Sequence, residues 1–352
     1  MENRIRKIKD GMKAKGISAL LITKPENQFY LTRLNSTNCQ LLFTENSNYL
    51  LTDFRYIESA GELSSFYHIK LLDNNVTLFS FIKELSLSEL AVEENYMSHS
   101  DAKKISSEAG CLLVSGDGIA EYARVIKEAE ELLAVERAQE IADSGFLHML
   151  DYLKPGLTER EAALELELFL RKQGADALSF ETILVSGVRT SLPHGEPSEK
   201  ILERGDFVTM DFGCRVGGYC SDMTRTVALG SVTERQREIY SIVLEAQKAG
   251  CKALRDGLLA RLADKTCRDI IEDRGYGAYF GHGTGHGVGL EIHEAPTLNS
   301  KSEETLKENM VVTIEPGIYL PKEFGVRIED LAIITHSGII NLVKSEKELI
   351  VI

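Results

Sequence analysis

The stretch GHGTGHGVGLEIHE, residues 281–294, constrains the fold more than any other part of the chain, because it interleaves histidines with glycines. Its first two histidines, His282 and His286, are four residues apart, a spacing that would place both on one face of a helix. Glycine disfavours a helix by about 1 kcal/mol per position relative to alanine. Neither a G-x-G-x-x-G dinucleotide fingerprint nor an H-E-x-x-H zinc motif is present in the stretch. We therefore predict an extended, closely packed backbone that displays imidazoles toward a site.

Composition narrows the class of protein. The chain has 352 residues, 43% of them hydrophobic, and a formal net charge of −14. This length suits two domains, and the negative charge argues against binding to nucleic acid. The longest apolar runs are far shorter than the roughly 20 residues that cross a bilayer. The six cysteines show no C-x-x-C spacing and the N-terminus lacks a secretory signal. We expect a cytoplasmic protein that binds neither nucleic acid nor membranes.

The first third of the chain predicts a small α/β domain. Helical segments separate several short runs rich in Leu, Ile and Val, which are typical of strands. The runs are 17–23, 40–44, 48–53, 68–73, 89–94 and 111–116. Asp53 is a good N-cap and predicts a helix that begins there. A long helical pattern then starts near residue 121, so we predict an N-terminal domain over 1–121 and a second domain over 122–352.

The second domain contains an internal repeat. Residues 156–174 and 257–275 align without gaps at an offset of 101; each begins with Gly-Leu, carries a helical pattern and ends on glycine. Thr158 to Glu161 forms a capping-box pattern, and Thr233 to Gln236 forms another. Two αβ halves in one domain would place a site in the seam between them. Two unrelated helices that happen to match remain the alternative from the repeat alone.

The segment FVTMDFGCRVGGYCSDMTRT predicts a β-hairpin with a turn at Gly217-Gly218. Asp211 and Asp222 lie on opposite arms, and in a two-residue hairpin their side chains point to the same face. Aspartate is depleted in strands, and an unpaired charge is costly to bury. Either a bound cation or an arginine must compensate, and a strand-end aspartate paired with Arg225 is the alternative to a bound cation.

Two further carboxylates interrupt apolar strands. Glu315 lies in VVTIEPGIYL and Glu329 in GVRIEDLAIIT. Together the four carboxylates and one histidine between the pairs form a ligand set that suits two adjacent divalent cations, such as Mn²⁺, Co²⁺ or Zn²⁺. Two such ions about 3.5–4 Å apart can hold a bridging hydroxide and polarise a carbonyl group.

The motifs MDFG…GYCSDMTRT, HGTGHGVGLEIHE, TIEPG and RIED occur in this order, and the chain thereby resembles the pita-bread metallopeptidases. It is most similar to their two-domain Xaa-Pro peptidases. The resemblance implies a mixed α/β and α+β fold: a creatinase-like α/β domain, then a pita-bread catalytic domain with pseudo-twofold αβ halves. It implies these metal ligands: Asp211, Asp222, His286, Glu315 and Glu329.

The resemblance also implies roles around the metals. His194 in SLPHG and His293 would line the substrate pocket and stabilise the tetrahedral intermediate, and Arg327 would lie near the metal carboxylates and the substrate. The glycines of the histidine stretch would let the backbone pass close to the metals. Arg189 is a candidate contact for a substrate carboxylate. The role of His282 stays open between support of the metal site and packing.

The predicted function is dinuclear metal-dependent hydrolysis of Xaa-Pro bonds at a free N-terminus. Glu315 would shuttle protons, and the cofactor would be two Mn²⁺ or Co²⁺ ions, with Zn²⁺ as an alternative. We favour an Xaa-Pro dipeptidase, a homodimer acting on short proline-containing peptides. The alternatives are an Xaa-Pro aminopeptidase on longer peptides, a methionine aminopeptidase and a non-catalytic binding protein. A creatinase-like hydrolase would lack the metal ligands.

Overall fold

The computed structural model describes all 352 residues and contains two compact units, Met1–Arg124 and Val125–Ile352. The sequence-based division at 121/122 falls within the helix Ile119–Val125. None of the helices combines the length and the apolar character needed to cross a membrane.

The first unit is built on a six-stranded sheet in the order β4-β3-β2-β1-β5-β6. Its strands are β1 (Ala19–Ile22), β2 (Cys39–Thr44), β3 (Asn48–Thr52), β4 (His68–Leu71), β5 (Glu89–Val92) and β6 (Leu112–Ser115). Its helices are α1 (Glu2–Ala14), α2 (Pro25–Thr32), α3 (Ile57–Gly61), α4 (Leu78–Glu84), α5 (His99–Ala109) and α6 (Ile119–Val125). Strand β2 pairs antiparallel with β1 and β3, and the other pairs are parallel. All six predicted strands are confirmed, with ends shifted by at most two residues.

The helix predicted to begin at Asp53 begins later, and Asp53 does not cap it. Its carboxylate accepts a hydrogen bond from the Arg55 backbone N–H at 2.9 Å and from the Asn38 side chain at 2.7 Å. Because these contacts hold Asp53 in a turn, α3 starts four residues further on, after Tyr56. An aspartate that closes a local turn has the same sequence signature as an N-cap.

The second unit contains four helices and thirteen strands. The helices are α7 (Ala129–Tyr152), α8 (Glu159–Lys172), α9 (Glu234–Ala253) and α10 (Ala260–Asp273). The strands are β7 (Ala177–Leu178), β8 (Ile183–Ser186), β9 (Phe207–Phe212), β10 (Cys214–Val216), β11 (Tyr219–Cys220), β12 (Met223–Ala228), β13 (Gly285–Gly287), β14 (Glu294–Leu298), β15 (Val311–Ile314), β16 (Gly317–Leu320), β17 (Phe324–Arg327), β18 (Asp330–Thr335) and β19 (Gly338–Asn341).

The sheets of this unit bring distant strand ends together. They run β12-β9-β8, β11-β10-β7, β14-β13-β15-β18-β19 and β16-β17. Apolar side chains of α9 and α10 pack in one cluster with the strands, and Val243, Ile271, Val312 and Ala332 in that cluster are fully buried. This core fixes β13, β15 and β18 side by side, with Glu315 directly after β15 and Glu329 directly before β18.

The internal repeat is visible in the structure. Helices α8 and α10 have the same length and start 101 residues apart. A glycine with positive φ precedes each helix: Gly156 at φ 100° and Gly257 at φ 79°. Both predicted capping boxes, at Thr158 and Thr233, are present. These matched details favour two related halves over two unrelated helices.

The prediction of an uninterrupted helix from residue 121 is wrong, because a short non-helical segment separates α6 from α7. The break forms around Lys127, whose backbone N–H donates to the Asn309 carbonyl at 3.0 Å. The Lys127 ammonium lies 2.8 Å from the Glu294 carboxylate, and both side chains are buried. A capping box between Glu128 and Glu131 then starts α7. Tertiary contacts override local helix propensity here.

Candidate metal centre and substrate cavity

The hairpin predicted around Gly217-Gly218 is confirmed. Both glycines have positive φ, 56° and 84°, and the arms pair directly on either side of them. Asp211 lies in β9 and Asp222 lies immediately before β12. Between them, a Cβ at Gly213 would collide with a carbonyl oxygen of the opposite arm. Glycine at this position therefore lets the two arms approach closely where both aspartates are presented.

Three other strand ends deliver the remaining predicted ligands. Glu315 follows β15, Glu329 precedes β18, and His286 lies in β13. The ligand atoms of Asp222, His286 and Glu329 all lie within 4.8 Å of one another. The His286 Nε2 atom is 3.3 Å from Glu315 Oε1 and 3.6 Å from Asp222 Oδ2. With Asp211, all five predicted ligands line one cavity of about 550 Å³.

The tautomer of His286 suits coordination through Nε2. Its Nδ1 atom lies 3.1 Å from the Gly287 carbonyl oxygen, which can only accept, so Nδ1 carries the proton. Nε2 is therefore the nitrogen that faces the carboxylates and would supply its lone pair to a bound cation. The backbone is fixed as well, because the His286 N–H donates to the Thr313 hydroxyl at 3.1 Å. That hydroxyl in turn donates to Glu315 Oε1 at 3.2 Å.

The charge of this cluster favours bound cations. Burial, and then the charges of Glu329, Asp211 and Glu315, raise the pKa of Asp222 well above its usual range. Burial and the charges of Glu315 and Asp211 raise the pKa of Glu329 in the same way. One oxygen each of Asp211 and Asp222, the Oδ1 atom, is buried and accepts no hydrogen bond. Buried acceptors without donors are costly, and divalent cations would satisfy them. The residues present therefore fit a divalent metal site.

Arg327 is the arginine that compensates Asp211. Its guanidinium donates to Asp211 Oδ2 at 2.6 Å and to the Tyr319 hydroxyl at 2.8 Å. The alternative prediction, in which Arg225 pairs with the aspartate, is wrong because the Arg225 guanidinium donates to Asp330 Oδ1 at 2.9 Å. One arginine does not neutralise four carboxylates, so the pairing of Arg327 with Asp211 leaves the need for cations in place.

His282 belongs to a hydrogen-bonded chain that ends at Asp211. Its Nδ1 atom donates to the Gly283 carbonyl at 2.8 Å, and Nε2 lies 2.8 Å from the Tyr319 hydroxyl. Burial lowers the pKa of His282 and raises the pKa of Tyr319 to about 12. Neutral His282 thus accepts from the phenol, which accepts from Arg327. This arrangement favours support of the site over packing alone.

An ion pair on α10, between Asp264 and Arg268, holds the histidine stretch in place. Asp264 is fully buried and accepts from the Thr284 backbone N–H and hydroxyl, both at 3.1 Å. Its partner Arg268 donates to the carbonyls of Phe280 at 2.9 Å and His282 at 2.8 Å. Neither residue was predicted from the sequence. The sequence did carry a signal for this ion pair, because an Asp and an Arg four residues apart on the second repeat helix lie on the same face.

The glycines on either side of His286 are required by the packing of neighbouring strands. A Cβ at Gly285 or Gly287 would collide with the carbonyl oxygen of Thr313 or Ala295, respectively. Glycine is thus needed because β13 lies between β14 and β15, and the predicted close approach of the backbone to metals stays a prediction. Gly281, by contrast, has open space around the position of a Cβ.

His293 and His194 both line the cavity and are solvent-exposed. The His293 ring stands edge-on to the ring of His286, with centroids 4.3 Å apart. Partial burial at the cavity wall, and then the charge of His286, lower the pKa of His293. His194 follows Pro193, whose carbonyl accepts from Arg327 at 3.2 Å. The cavity therefore presents two imidazoles beside the ligand cluster.

Arg189 does not line this cavity. Its guanidinium donates to the Glu159 carboxylate at 3.0 Å and to the Glu196 carbonyl at 2.6 Å. These contacts give no support to its predicted role as a contact for a substrate carboxylate.

The rest of the cavity wall combines apolar and acidic side chains. Phe180, Ile183 and Ile292 supply apolar surface, and Glu181 and Glu196 add negative charge. Such a wall is compatible with an apolar ring or side chain, together with a positively charged group such as a peptide amine.

Comparisons with known proteins cover both units. The profile of "Metallopeptidase family M24" matches residues 134–336, and that of the "Creatinase/Prolidase N-terminal domain" matches residues 4–126. An Xaa-Pro dipeptidase from Pyrococcus furiosus is 38% identical, over 99% of this chain and 100% of that protein. The structure of an Xaa-Pro dipeptidase from Bacillus anthracis is 41% identical, with a TM-score of 0.96 and 99% of each chain covered. An X-Pro aminopeptidase from Thermotoga maritima is 35% identical, with a TM-score of 0.89 and coverage of 97% and 100%.

Proposed function

The chain is a metallopeptidase of family M24, and we propose that it is an Xaa-Pro dipeptidase that uses two divalent metal ions. The observation that carries this proposal is the convergence of four carboxylates and one imidazole in a single cavity, with two buried oxygens left without donors. Membership of the family makes the protein an enzyme, which sets aside a non-catalytic binding protein. The names of the relatives supply the Xaa-Pro specificity as a proposal for this chain.

We assign the metal ligands to five residues: Asp211, Asp222, His286, Glu315 and Glu329. When bound, the ions would supply Lewis acidity toward the scissile carbonyl and lower the pKa of a water molecule. Mn²⁺ or Co²⁺ is our choice, with Zn²⁺ as the alternative, because imidazole and carboxylate ligands suit all three.

The side chains of the cavity would perform the remaining steps. Water attacks the carbonyl carbon, and Glu315 accepts its proton and delivers that proton to the proline nitrogen as the C–N bond breaks. Glu315 is only partly buried and borders the cavity, so its carboxylate is within reach of a substrate. The imidazoles of His194 and His293 would donate N–H groups to the oxygen that becomes negative. Phe180 and Ile292 would contact the apolar parts of the substrate.

The length of the substrate depends on how its C-terminal carboxylate is bound. Arg327 is the only Lys or Arg that lines the cavity, and Asp211 already engages it. In a dipeptidase the carboxylate would therefore fall to one imidazole, that of His194 or His293, which would leave only the other for the developing oxyanion. This shortage of free cations favours the second candidate, an Xaa-Pro aminopeptidase acting on longer peptides, whose C-terminus needs no clamp.

Kinetics on defined peptides test the proposal. The protein is reconstituted with Mn²⁺ or Co²⁺, and kcat/KM is compared for an Xaa-Pro dipeptide and an Xaa-Pro-Xaa tripeptide, with Xaa-Ala and metal-stripped controls. A dipeptide preference of about tenfold or more supports a dipeptidase, since that ratio equals about 1.4 kcal/mol of transition-state binding. A tripeptide preference makes the protein an aminopeptidase. Turnover of Xaa-Ala but of neither proline peptide would overturn the Xaa-Pro assignment.

Assembly, location and domain assignment complete the proposal. We assign residues 1–121 to a creatinase/prolidase-like domain and 122–352 to the pita-bread catalytic domain, and we propose a cytoplasmic homodimer. All six cysteines are unpaired, as a reducing compartment would keep them. Sedimentation equilibrium measures the assembly directly, and a monomeric mass at micromolar concentration would contradict a stable dimer.

A further inference from the structure

The loop 186–198 carries His194 into the cavity, and a single carboxylate joins its two ends. Glu159, in the first turn of α8, is fully buried. Its Oε1 atom accepts from the Ser186 backbone N–H at 2.7 Å and hydroxyl at 3.0 Å. Its Oε2 atom accepts from the Ser198 backbone N–H at 3.0 Å and hydroxyl at 2.7 Å. Both ends of the loop are thus tied to one side chain, 27 and 39 residues away along the chain.

Arg189 adds a fifth donor to the same carboxylate. Its Nε–H group bonds Glu159 Oε2 at 3.0 Å, while another N–H group reaches the Glu196 carbonyl at 2.6 Å. Since a carboxylate offers about four lone-pair sites, Glu159 is saturated by contacts from this loop. Arg189, which precedes His194 in the loop, is therefore linked to Glu196, which follows it. Its contacts assign to Arg189 the role of joining these two parts of the loop.

The far side of the loop is anchored beside the candidate metal ligands. The Thr190 hydroxyl accepts from the Gly325 backbone N–H at 2.8 Å. The Pro193 carbonyl accepts from Arg327, which also binds Asp211. The residue after Pro193 is His194. A shift at the base of the loop would therefore change the position of this imidazole relative to the ligand cluster.

We propose that Glu159 is a positioning residue that, with Arg189, holds His194 where it meets the substrate. This inference rests on the proposed function for the role of His194. Glu159 itself touches neither the cavity nor the ligands, so it acts only through the loop.

Helix α8 supplies a matched control in its first turn. Glu161 is exposed, and its carboxylate bonds the Thr158 backbone N–H in the capping box. The changes Glu159→Gln and Glu161→Gln are chemically identical and lie two residues apart. Only the first places an amide N–H₂ donor against the serine donors of the loop.

Hydrogen exchange followed by mass spectrometry tests the loop without requiring activity. In the metal-loaded protein, Glu159→Gln should speed exchange in peptides within 187–197 by about tenfold or more, because opening the loop costs less once its base is released. Glu161→Gln should leave those peptides unchanged, and Mn²⁺ binding should stay within about twofold in both variants, as expected away from the ligands. Unchanged exchange in Glu159→Gln overturns the proposal.

Kinetics on the Xaa-Pro substrate then test whether Glu159 affects hydrolysis through His194. Glu159→Gln should lower kcat/KM by about 10- to 100-fold, the range for a displaced substrate group. The same change in a His194→Ala background should cost less than about twofold, because the group that it positions is absent. Equal losses in both backgrounds would show a merely structural role and overturn the proposal.

The milder Arg189→Met variant keeps the test usable if Glu159→Gln fails to fold. Arg189→Met should lower kcat/KM by less than Glu159→Gln does, and this loss should also shrink in the His194→Ala background. If the losses from Arg189→Met and His194→Ala are additive, the proposal is contradicted. A wild-type protein that hydrolyses no Xaa-Pro peptide refutes the proposed function instead, and the exchange experiment still decides whether Glu159 closes the loop.

Discussion

Replacing one candidate ligand should have opposite effects on the stability of the metal-free and the metal-bound protein. Asp222→Asn removes a buried charge that faces Glu329, Asp211 and Glu315, all of which raise the pKa of Asp222 together with burial. Without metal, that charge opposes folding, so its loss should stabilise the protein. With metal, the same change removes a ligand and should destabilise it.

The geometry sets the size of the effect. Asp222 and Glu329 hold ligand atoms no more than 4.8 Å apart, where two unit charges repel by about 3.5 kcal/mol at an effective dielectric constant of about 20. An imidazolium at His286, 3.6 Å from Asp222, attracts the Asp222 charge by a similar amount and offsets this repulsion. The remaining cost of the Asp222 charge comes from burial and from the charges of Asp211 and Glu315. We expect a net gain of about 1–2 kcal/mol without metal, or about 2–8 °C in Tm for a unit of this size.

Metal binding reverses the sign. Losing a ligand should weaken binding by about 100-fold or more, which removes about 2.7 kcal/mol of ligand stabilisation under saturating metal. Thermal melts of wild type and Asp222→Asn, in EDTA and in excess Mn²⁺, measure both differences. The same decrease in Tm in both conditions would refute the reasoning, because it would mean that Asp222 stabilises the metal-free fold.

The pH dependence of the metal-free melts follows from the same shift. Because the folded-state pKa of Asp222 is raised above its unfolded value, the folded state binds more protons between the two values and loses stability as pH rises through that window. The advantage of Asp222→Asn should therefore be absent near pH 3 and present at neutral pH. A constant advantage at all pH values would contradict this account.

Two further substitutions, each with a control, test the strand packing beside the site and the buried ion pair before α7. Gly285→Ala should cost about 1–3 kcal/mol, because the added Cβ collides with a facing carbonyl oxygen. Gly281→Ala, in open space, should stay within about 0.5 kcal/mol; urea denaturation compares them, and equal losses would show that the collision is not the cause. Lys127→Met should cost about 3–5 kcal/mol by removing the buried ammonium that pairs with the Glu294 carboxylate. The exposed control Lys265→Met should cost less than about 1 kcal/mol, and a Lys127 variant as stable as this control would show that the buried pair contributes nothing.

The features that the sequence predicted well depend on local patterns. Gly217-Gly218 defined the hairpin because a two-residue turn with positive φ at both positions nearly demands glycine. The capping boxes at Thr158 and Thr233 were readable because their partners are three residues away. The candidate ligands stay a prediction as ligands, but their position around one cavity follows from a local pattern, because a charged residue that interrupts an apolar strand, as Glu315 does, is costly to bury without a cation beside it.

The features that it missed depend on contacts between distant residues. The break between α6 and α7 is fixed by Lys127 and Glu294, which are 167 residues apart, and no local pattern indicates that pair. Asp211 pairs with Arg327 rather than with Arg225 because strand order, not sequence distance, decides which guanidinium is near. The role of Glu159 was hidden for the same reason, since its partners belong to a loop that only the fold brings to it.

The most direct test of the central claim is a titration of metal-stripped protein with Mn²⁺ while the rate of Xaa-Pro hydrolysis is followed. We predict no activity without metal and a rise that saturates at two equivalents per chain, with His286→Ala failing to recover at the same concentrations. Full hydrolysis by the stripped protein, or saturation at one equivalent, would contradict a dinuclear centre built from these five residues.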